Sequence, residues 1–297
     1  MSIQLFQHIK EAISSLNPEE IERHVDKPVQ IFLYAHTEEA YRQMEDFLAP
    51  PRLSAAKRAD VGNRIHRASS GFAPAGGNDL EIYFEDSPPD GLTPIKDVFP
   101  FQPGNPHRLV SEVLRQRPDL AIPLAIHMLP FRQEVSRRIV KKVSKQNAMF
   151  ALATAVPDII PFVSLPWAVG EFASDSAVLT ANQVRMAFLL AAAADRDFGY
   201  REQRNEIASI VLGAFGWRAL ARELVGKIPL GGGLIPKGAI AYAGTRVVGL
   251  SLERFYRTGA AYTRQERRDA YGDALERGRA IATSLLNRVK AKAVAQS

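Results

Sequence analysis

Beyond Asn105-Pro106 this 297-residue chain offers no run of residues that reads as a β-strand, and that asymmetry limits the fold more than any other feature. Strand candidates are confined to the first third. Pro28 precedes VQIFLYA (Val29 to Ala35), whose β-branched and aromatic residues suit a pleated, half-buried surface. LEIYFED (Leu80 to Asp86) is a second such run, and Val98 to Gln102 a weaker third. Helical patterns surround them. Leu5, Ile9, Ala12, Ile13 and Leu16 keep helical spacing, and Asn17-Pro18-Glu19-Glu20 places a cap and a proline at the start of a second short helix. Thr37-Glu38-Glu39 supplies an N-cap with acids in the first turn of a helix that reaches Leu48, where Pro50-Pro51 stops it. The basic stretch from Leu53 to Arg67 is expected to be helical, and SSGFAPAGGND (Ser69 to Asp79) a loop. The expected fold is therefore mainly α. A small α/β domain with about three short strands, residues 1–104, precedes a multi-helix module of packed helical hairpins, residues 105–297.

The second part reads as a succession of helices punctuated by proline and glycine. Leu109, Val113 and Leu114 open one, Pro118 starts another, and Pro130 begins a long one that ends before Pro157-Asp158-Ile159-Ile160-Pro161. Residues 174–194 form an Ala-rich helix apolar on most sides, which must be buried in something. Two shorter helices, a glycine stretch, a helix running to Tyr256 and a charged helix from Thr263 to about Val289 complete the chain.

Two features raise the question of a membrane. Ala148 to Gly170 is an apolar stretch long enough to cross a bilayer, with Asp158 its one ionisable residue. Its large apolar residues contribute roughly −3 to −5 kcal/mol on the insertion scale against about +3 kcal/mol for a central Asp, and prolines 157, 161 and 166 break a straight span. A kinked hairpin in lipid and a buried turn of a helical core both remain open. Asp158 itself reads more readily as a cap on the next helix than as an ion-binding group. Just upstream, Arg132, Arg137, Arg138, Lys141, Lys142 and Lys145 stand beside apolar Val135, Ile139 and Val143. That is the pattern of an interfacial helix drawn to anionic headgroups, and equally of an ordinary solvated face.

The chain has 38 basic and 32 acidic residues, a net charge of +6, which favours anionic partners without selecting one. It contains no cysteine, which excludes disulfides and thiolate chemistry. The first residues, MSIQLFQHIKEAISS, lack the pattern of a secretory signal, so a cytoplasmic location is expected. A phosphate loop fails at both places that invite it. Gly71 to Gly76 is followed by Gly77 and Asn78 where Lys and a hydroxyl residue are needed, and Gly231-Gly232-Gly233 precedes Lys237 only across Pro236. The second stretch reads instead as a tight turn between helices. Histidines 8, 24, 36, 66, 107 and 127 never adopt paired-ligand spacing, and no nucleophile elbow or nucleic-acid motif occurs. No catalytic residue, cofactor, metal or nucleic-acid partner is expected.

One stretch carries a resemblance. ATAVPDIIPF, the helix containing LTANQVRM (Leu179 to Met186), and FGWRALARELVGKIPLGGGLIPKGAIAYAGTRVVG followed by Phe255, Tyr256 and Gly259 resemble a helical family of unknown function. That family is found C-terminal to Era-like GTPase domains and in YcjF-type bacterial inner-membrane proteins. The resemblance covers about residues 146–261 and marks Asp158, Gln183, Gly231, Gly232, Gly233, Tyr242, Gly244, Thr245 and Gly249 as motif positions of a structural kind. It implies a helical module, membrane-associated in many members and often coupled to a GTPase, with no catalytic residues. The first 104 residues depart from that association. They lack the phosphate-binding and base-reading motifs of a GTPase, and at most form a reduced remnant of one.

The expectation is thus a non-enzymatic protein at the cytoplasmic face of the inner membrane, peripheral or partly inserted, that binds anionic lipid or a partner protein. A soluble regulator or scaffold of a separate GTPase is the first alternative, a divergent nucleotide-binding protein the second, and self-association stays open. Gly238, Ala239, Ala241, Ala243, Gly244 and Gly249 are expected to form a small-residue face for close helix packing, so that a bulky residue at Gly244 would unfold the module.

Overall fold

A computed structural model describes residues 3–68, 80–86, 98–154, 175–212 and 234–295. The chain is mainly helical with one small parallel sheet, and its contacts group it into two compact units.

The sheet unit comprises Glu19–Arg137 and Ala192–Asp197. Its strands β1 (Ile31–Tyr34), β2 (Ile65–Arg67), β3 (Leu80–Phe84) and β4 (Val98–Phe101) lie in the order β2-β1-β3-β4, all parallel. Parallel strands need crossovers, which is why helices intervene. α2 (Glu19–Val25) leads in; α3 (Glu38–Leu48) and α4 (Ala55–Gly62) connect β1 to β2. Thr37 caps α3, its hydroxyl accepting from the Ala40 amide at 3.2 Å, as the Thr-Glu-Glu start requires. α3 buries Ala40, Met44 and Leu48, while Ile31, Leu33, Leu80, Ile82, Phe99 and Phe101 form the buried rows of the sheet.

The sheet holds four strands where the sequence suggested about three. The additional one, β2, falls within the stretch 53–67 expected to be wholly helical. It is three residues long, sits at the edge beside β1, and exposes His66 and Arg67, so it carries no period-2 apolar pattern to read.

α5 (His107–Gln116), a short 3-10 turn at Pro118–Leu120, α6 (Ala121–His127) and the first turns of α7 (Leu129–Ala153) also belong to the sheet unit. α5 follows β4 directly and buries Leu109, Val110, Val113 and Leu114. The contact boundary therefore falls inside α7, after Arg137, whereas the change of composition lies at residue 104. Helices that cover a sheet share its core however polar the loop before them.

The helical unit comprises Met1–Pro18, Arg138–Ala191 and Phe198–Ser297. α1 (Ile3–Ser14) belongs here and not with the strands. It buries Ile9, Ala12 and Ile13, and the Tyr200 hydroxyl donates to the Ile13 carbonyl at 2.6 Å. α8 (Asp175–Ala193) is the apolar helix of the sequence; 78% of residues 176–193 is buried within the protein. α9 covers residues 204–212, and α10 (Leu234–Thr258) and α11 (Arg264–Ala295) make an antiparallel hairpin. Gly259 ends α10 with φ +79, its amide donating to the Phe255 carbonyl at 2.8 Å. Thr263 and Glu266 start α11 with a capping box: the Glu266 amide donates to the Thr263 hydroxyl at 3.2 Å and the Thr263 amide to the Glu266 carboxylate at 2.8 Å. Most of the apolar 148–170 stretch, with Asp158, lies outside the described residues, as do Gly231, Gly232 and Gly233.

Candidate functional site

α7 is a helix with two faces, and the inward one explains how the outward one is held. Glycines bring α10 close to it. A Cβ placed on Gly238 would meet the Leu152 side chain at 2.9 Å and Ala282 at 3.2 Å; one on Gly249 would meet Val140 at 2.8 Å and the Met186 sulfur at 3.0 Å. Leu152 opposite Gly238 and Val140 opposite Gly249 make α7 and α10 antiparallel. Gly278 on α11 is tighter still, since a Cβ there would lie 2.7 Å from the backbone carbonyl of Ala239.

Gly244 behaves differently from the sequence expectation. No described atom lies within 4 Å of a Cβ built on it, although the residue is buried. The close approach occurs at Gly238 and Gly249, eleven residues apart, and Gly244 lies between the two contacts. The small-residue face is real, but its tight points lie elsewhere.

Midway along the seam the three helices α7, α8 and α10 exchange hydrogen bonds. The Asn147 side-chain amide donates to the Thr245 hydroxyl at 2.8 Å and to the Leu179 carbonyl at 3.2 Å. Gln183 donates to the same Thr245 oxygen at 3.2 Å, and Asn182 donates to the Asn147 side-chain oxygen. All four side chains are at least nine-tenths buried. The sequence motif positions Gln183 and Thr245 are thus brought into direct contact, and Tyr242 is buried one turn before Thr245. Asn147 is the centre of the cluster, and sequence reasoning missed it. Its signal was a neutral amide at the head of the apolar run AMFALATAV, where only a partner could make burial tolerable. Every member is neutral, so the cluster joins helices without burying a charge.

The outward face carries the basic residues. Lys141, Lys145 and Met149 succeed each other at four-residue spacing on one exposed ridge of α7, with exposed Lys142 beside them. Val135 and Val143 face inward. Lys141, Lys142 and Lys145 make no ion pair among the described residues. The other three basic residues are differently engaged. Arg137 pairs with Glu134 at 2.5 Å, and Arg138 is half-buried. Arg132 folds back to donate to the Ala125 and Ile126 carbonyls, both at 3.2 Å, at the C-terminal end of α6. That end of a helix leaves carbonyls unpaired, and a guanidinium satisfies two of them. Arg132 therefore acts as a helix cap, and the solvent-facing charge is concentrated in three lysines.

Neither a family model, nor a curated protein, nor a solved structure matches the chain.

Proposed function

We propose that this protein is a binding protein that docks on anionic membrane surfaces through the exposed ridge of α7, with no catalytic step of its own. The observation that carries the reading is the row Lys141, Lys142 and Lys145, exposed and in no ion pair among the described residues, running into the exposed side chain of Met149. Lysines at a surface interact with anionic headgroups as mobile point charges, and an unbranched apolar side chain at the end of the ridge suits the headgroup boundary. The packed seam behind α7 supports this reading by making the ridge a rigid feature. The resemblance read from residues 146–261 to helical modules of inner-membrane proteins is consistent with this proposal, with the ridge proposed to meet the cytoplasmic leaflet.

The test is flotation of the full-length protein with phosphatidylglycerol vesicles and with phosphatidylcholine vesicles. Binding to the first alone, weakened by salt, is expected. Each lysine near an anionic surface contributes about 1 kcal/mol, so removing three costs about 3 kcal/mol, a loss of roughly a hundredfold. The Lys141→Gln/Lys142→Gln/Lys145→Gln variant should therefore remain in the soluble fraction with an unchanged melting temperature. A wild-type protein that ignores phosphatidylglycerol vesicles at low salt ends the proposal.

A second reading has its own observation. The one described helix apolar and long enough to cross a membrane, within 176–193, is 78% buried inside the protein, which suits a soluble helical regulator or scaffold of a separate GTPase. A pull-down that recovers no GTP-binding protein counts against it.

A further inference from the structure

A second site lies in the helical unit, away from the α7 ridge. Between α9 and α10 is a cavity of about 370 Å³, within the size range of small-molecule sites. Its two walls differ chemically. α10 presents Val248, Leu252 and Phe255, spaced to share one helix face, while Glu202 and Glu206 stand on the α9 side and Arg267 projects from the first turn of α11.

The three charged residues are not paired with one another or with any other described residue. Elsewhere in the same unit acids and bases within reach do pair, as Arg254 with Glu266 and Arg257 with Glu253. Two carboxylates and a guanidinium that share one cavity and remain apart leave room for a molecule carrying both complementary charges.

The walls are also fixed. Buried Gln203, at the start of α9, donates to the Tyr256 hydroxyl of α10 and to the Ala187 carbonyl of α8 at 3.1 Å. On the opposite side the capping box of Thr263 and Glu266, tied to Arg254 at 2.5 Å, sets the helical turn from which Arg267 projects. The Tyr262 amide donates to the Ser251 hydroxyl at 3.0 Å, closing the α10–α11 connection onto α10. A ligand entering here meets helices already joined to one another, which lowers the entropy cost of forming the site.

From this arrangement we infer that the cavity binds a small zwitterion with an apolar body, the chemistry of a hydrophobic amino acid. The apolar body packs on Val248, Leu252 and Phe255, the ammonium faces Glu202 and Glu206, and the carboxylate faces Arg267. A fully anionic ligand would meet two carboxylates against one guanidinium, and a simple cation would leave Arg267 unanswered. The inference is independent of the membrane-docking proposal, because the cavity shares no residue with Lys141, Lys142 or Lys145.

Titration of the full-length protein by ligand-observed NMR and calorimetry separates the contributions. The probes are phenylalanine, which has both charges and the apolar body; phenethylamine, without the carboxylate; phenylacetate, without the ammonium; and glycine, without the body. Phenylalanine is expected to bind best, and each of the others to be weaker by about tenfold or more, the order of one lost charge-assisted or apolar contact. Arg267→Ala should abolish the preference for phenylalanine over phenethylamine, and Glu206→Gln should reduce its preference over phenylacetate. Both replacements are of unpaired side chains, and melting temperatures check that each variant is folded. Equal affinity for all four probes, no binding of phenylalanine at millimolar concentration, or preferences unchanged in the two folded variants would each overturn the inference.

Discussion

The sheet unit and the helical unit solve the problem of the polar group in opposite ways. In the sheet unit the interior rows are large and apolar, from Ile31 and Leu33 to Ile82 and Phe99, and most charges lie at the rim, with buried Arg117, paired to Asp119, the exception. Arg67 there reaches Glu38 at 2.7 Å and Glu45 at 2.8 Å across exposed surface, and Arg58 reaches Asp46 at 3.2 Å. Such pairs contribute little individually because water screens them. In the helical unit the seam between α7, α8 and α10 is narrow, lined by glycine and alanine, and polar in the middle. Glycines there receive the larger side chains of the facing helices, and the middle of the seam is joined by neutral amides and a hydroxyl that must find one another. A parallel sheet satisfies its backbone through its ladder and can leave its core to hydrocarbon; helices satisfy theirs internally and are free to use side-chain hydrogen bonds between them.

Four changes test that contrast. The largest effect belongs to Gly278→Ala, because the added Cβ meets a backbone carbonyl that cannot rotate away. A loss of roughly 2 to 3 kcal/mol is expected despite alanine's better helix propensity, read as a lower denaturation midpoint; an unchanged midpoint would show that α10 and α11 are not in forced contact. Next comes Asn147→Ala, which strips the seam of its central partner and leaves the buried Asn182 side-chain amide without its acceptor. The expected cost is about 1 to 3 kcal/mol, measured in the same way. A larger penalty from removing the rim partner Asp46 than from removing Asn147 would invert the comparison.

Smaller and opposite in sign is Gly244→Ala. With open space at its Cβ, the substitution should be neutral or stabilising by about 0.5 to 1 kcal/mol through backbone entropy and helix propensity. A destabilisation like that of Gly278→Ala would restore Gly244 to the tight seam. The smallest effect is one of pH in the sheet unit. His127 Nδ1–H donates to the Asp60 carboxylate at 3.0 Å, with Lys57 and Arg64 also facing that carboxylate. Burial holds the His127 pKa below its ordinary value of 6.5, with Asp60 opposing the shift and Arg64 and Lys57 adding to it. The folded state thus takes up the proton later than the unfolded chain, so stability is complete above about pH 6.5 and declines as the pH falls through the lowered folded pKa. Melting temperatures between pH 7.5 and 5 should fall less for His127→Gln than for the wild type; parallel curves would remove His127 from the account.

Much of the sheet unit could be read before it was seen, because β-branched and aromatic runs such as Val29 to Ala35 and caps such as Thr37 act through neighbours in sequence. The exception, β2, has three residues and an exposed edge, and is a strand only because β1 lies next to it. The helical unit was legible as helices and as a small-residue face, and Gln183 and Thr245 were marked by their motif. Which glycines are tight was not legible. Gly238, Gly244 and Gly249 look alike along the chain, and the register of α7 against α10 separates them.

The sequence by itself therefore determined the mainly helical class, the position of three of the four strands, the burial of the helix at 176–193 and the basic character of α7. Each of these follows from periodicity or local composition. Only the tertiary structure decided that Arg132 caps α6 while Lys141, Lys142 and Lys145 face solvent, that Asn147 anchors the seam, and that Glu202, Glu206 and Arg267 line one cavity without a partner among the described residues. Those outcomes depend on distances between residues far apart in the chain, and no one-dimensional pattern encodes the register of one helix against another.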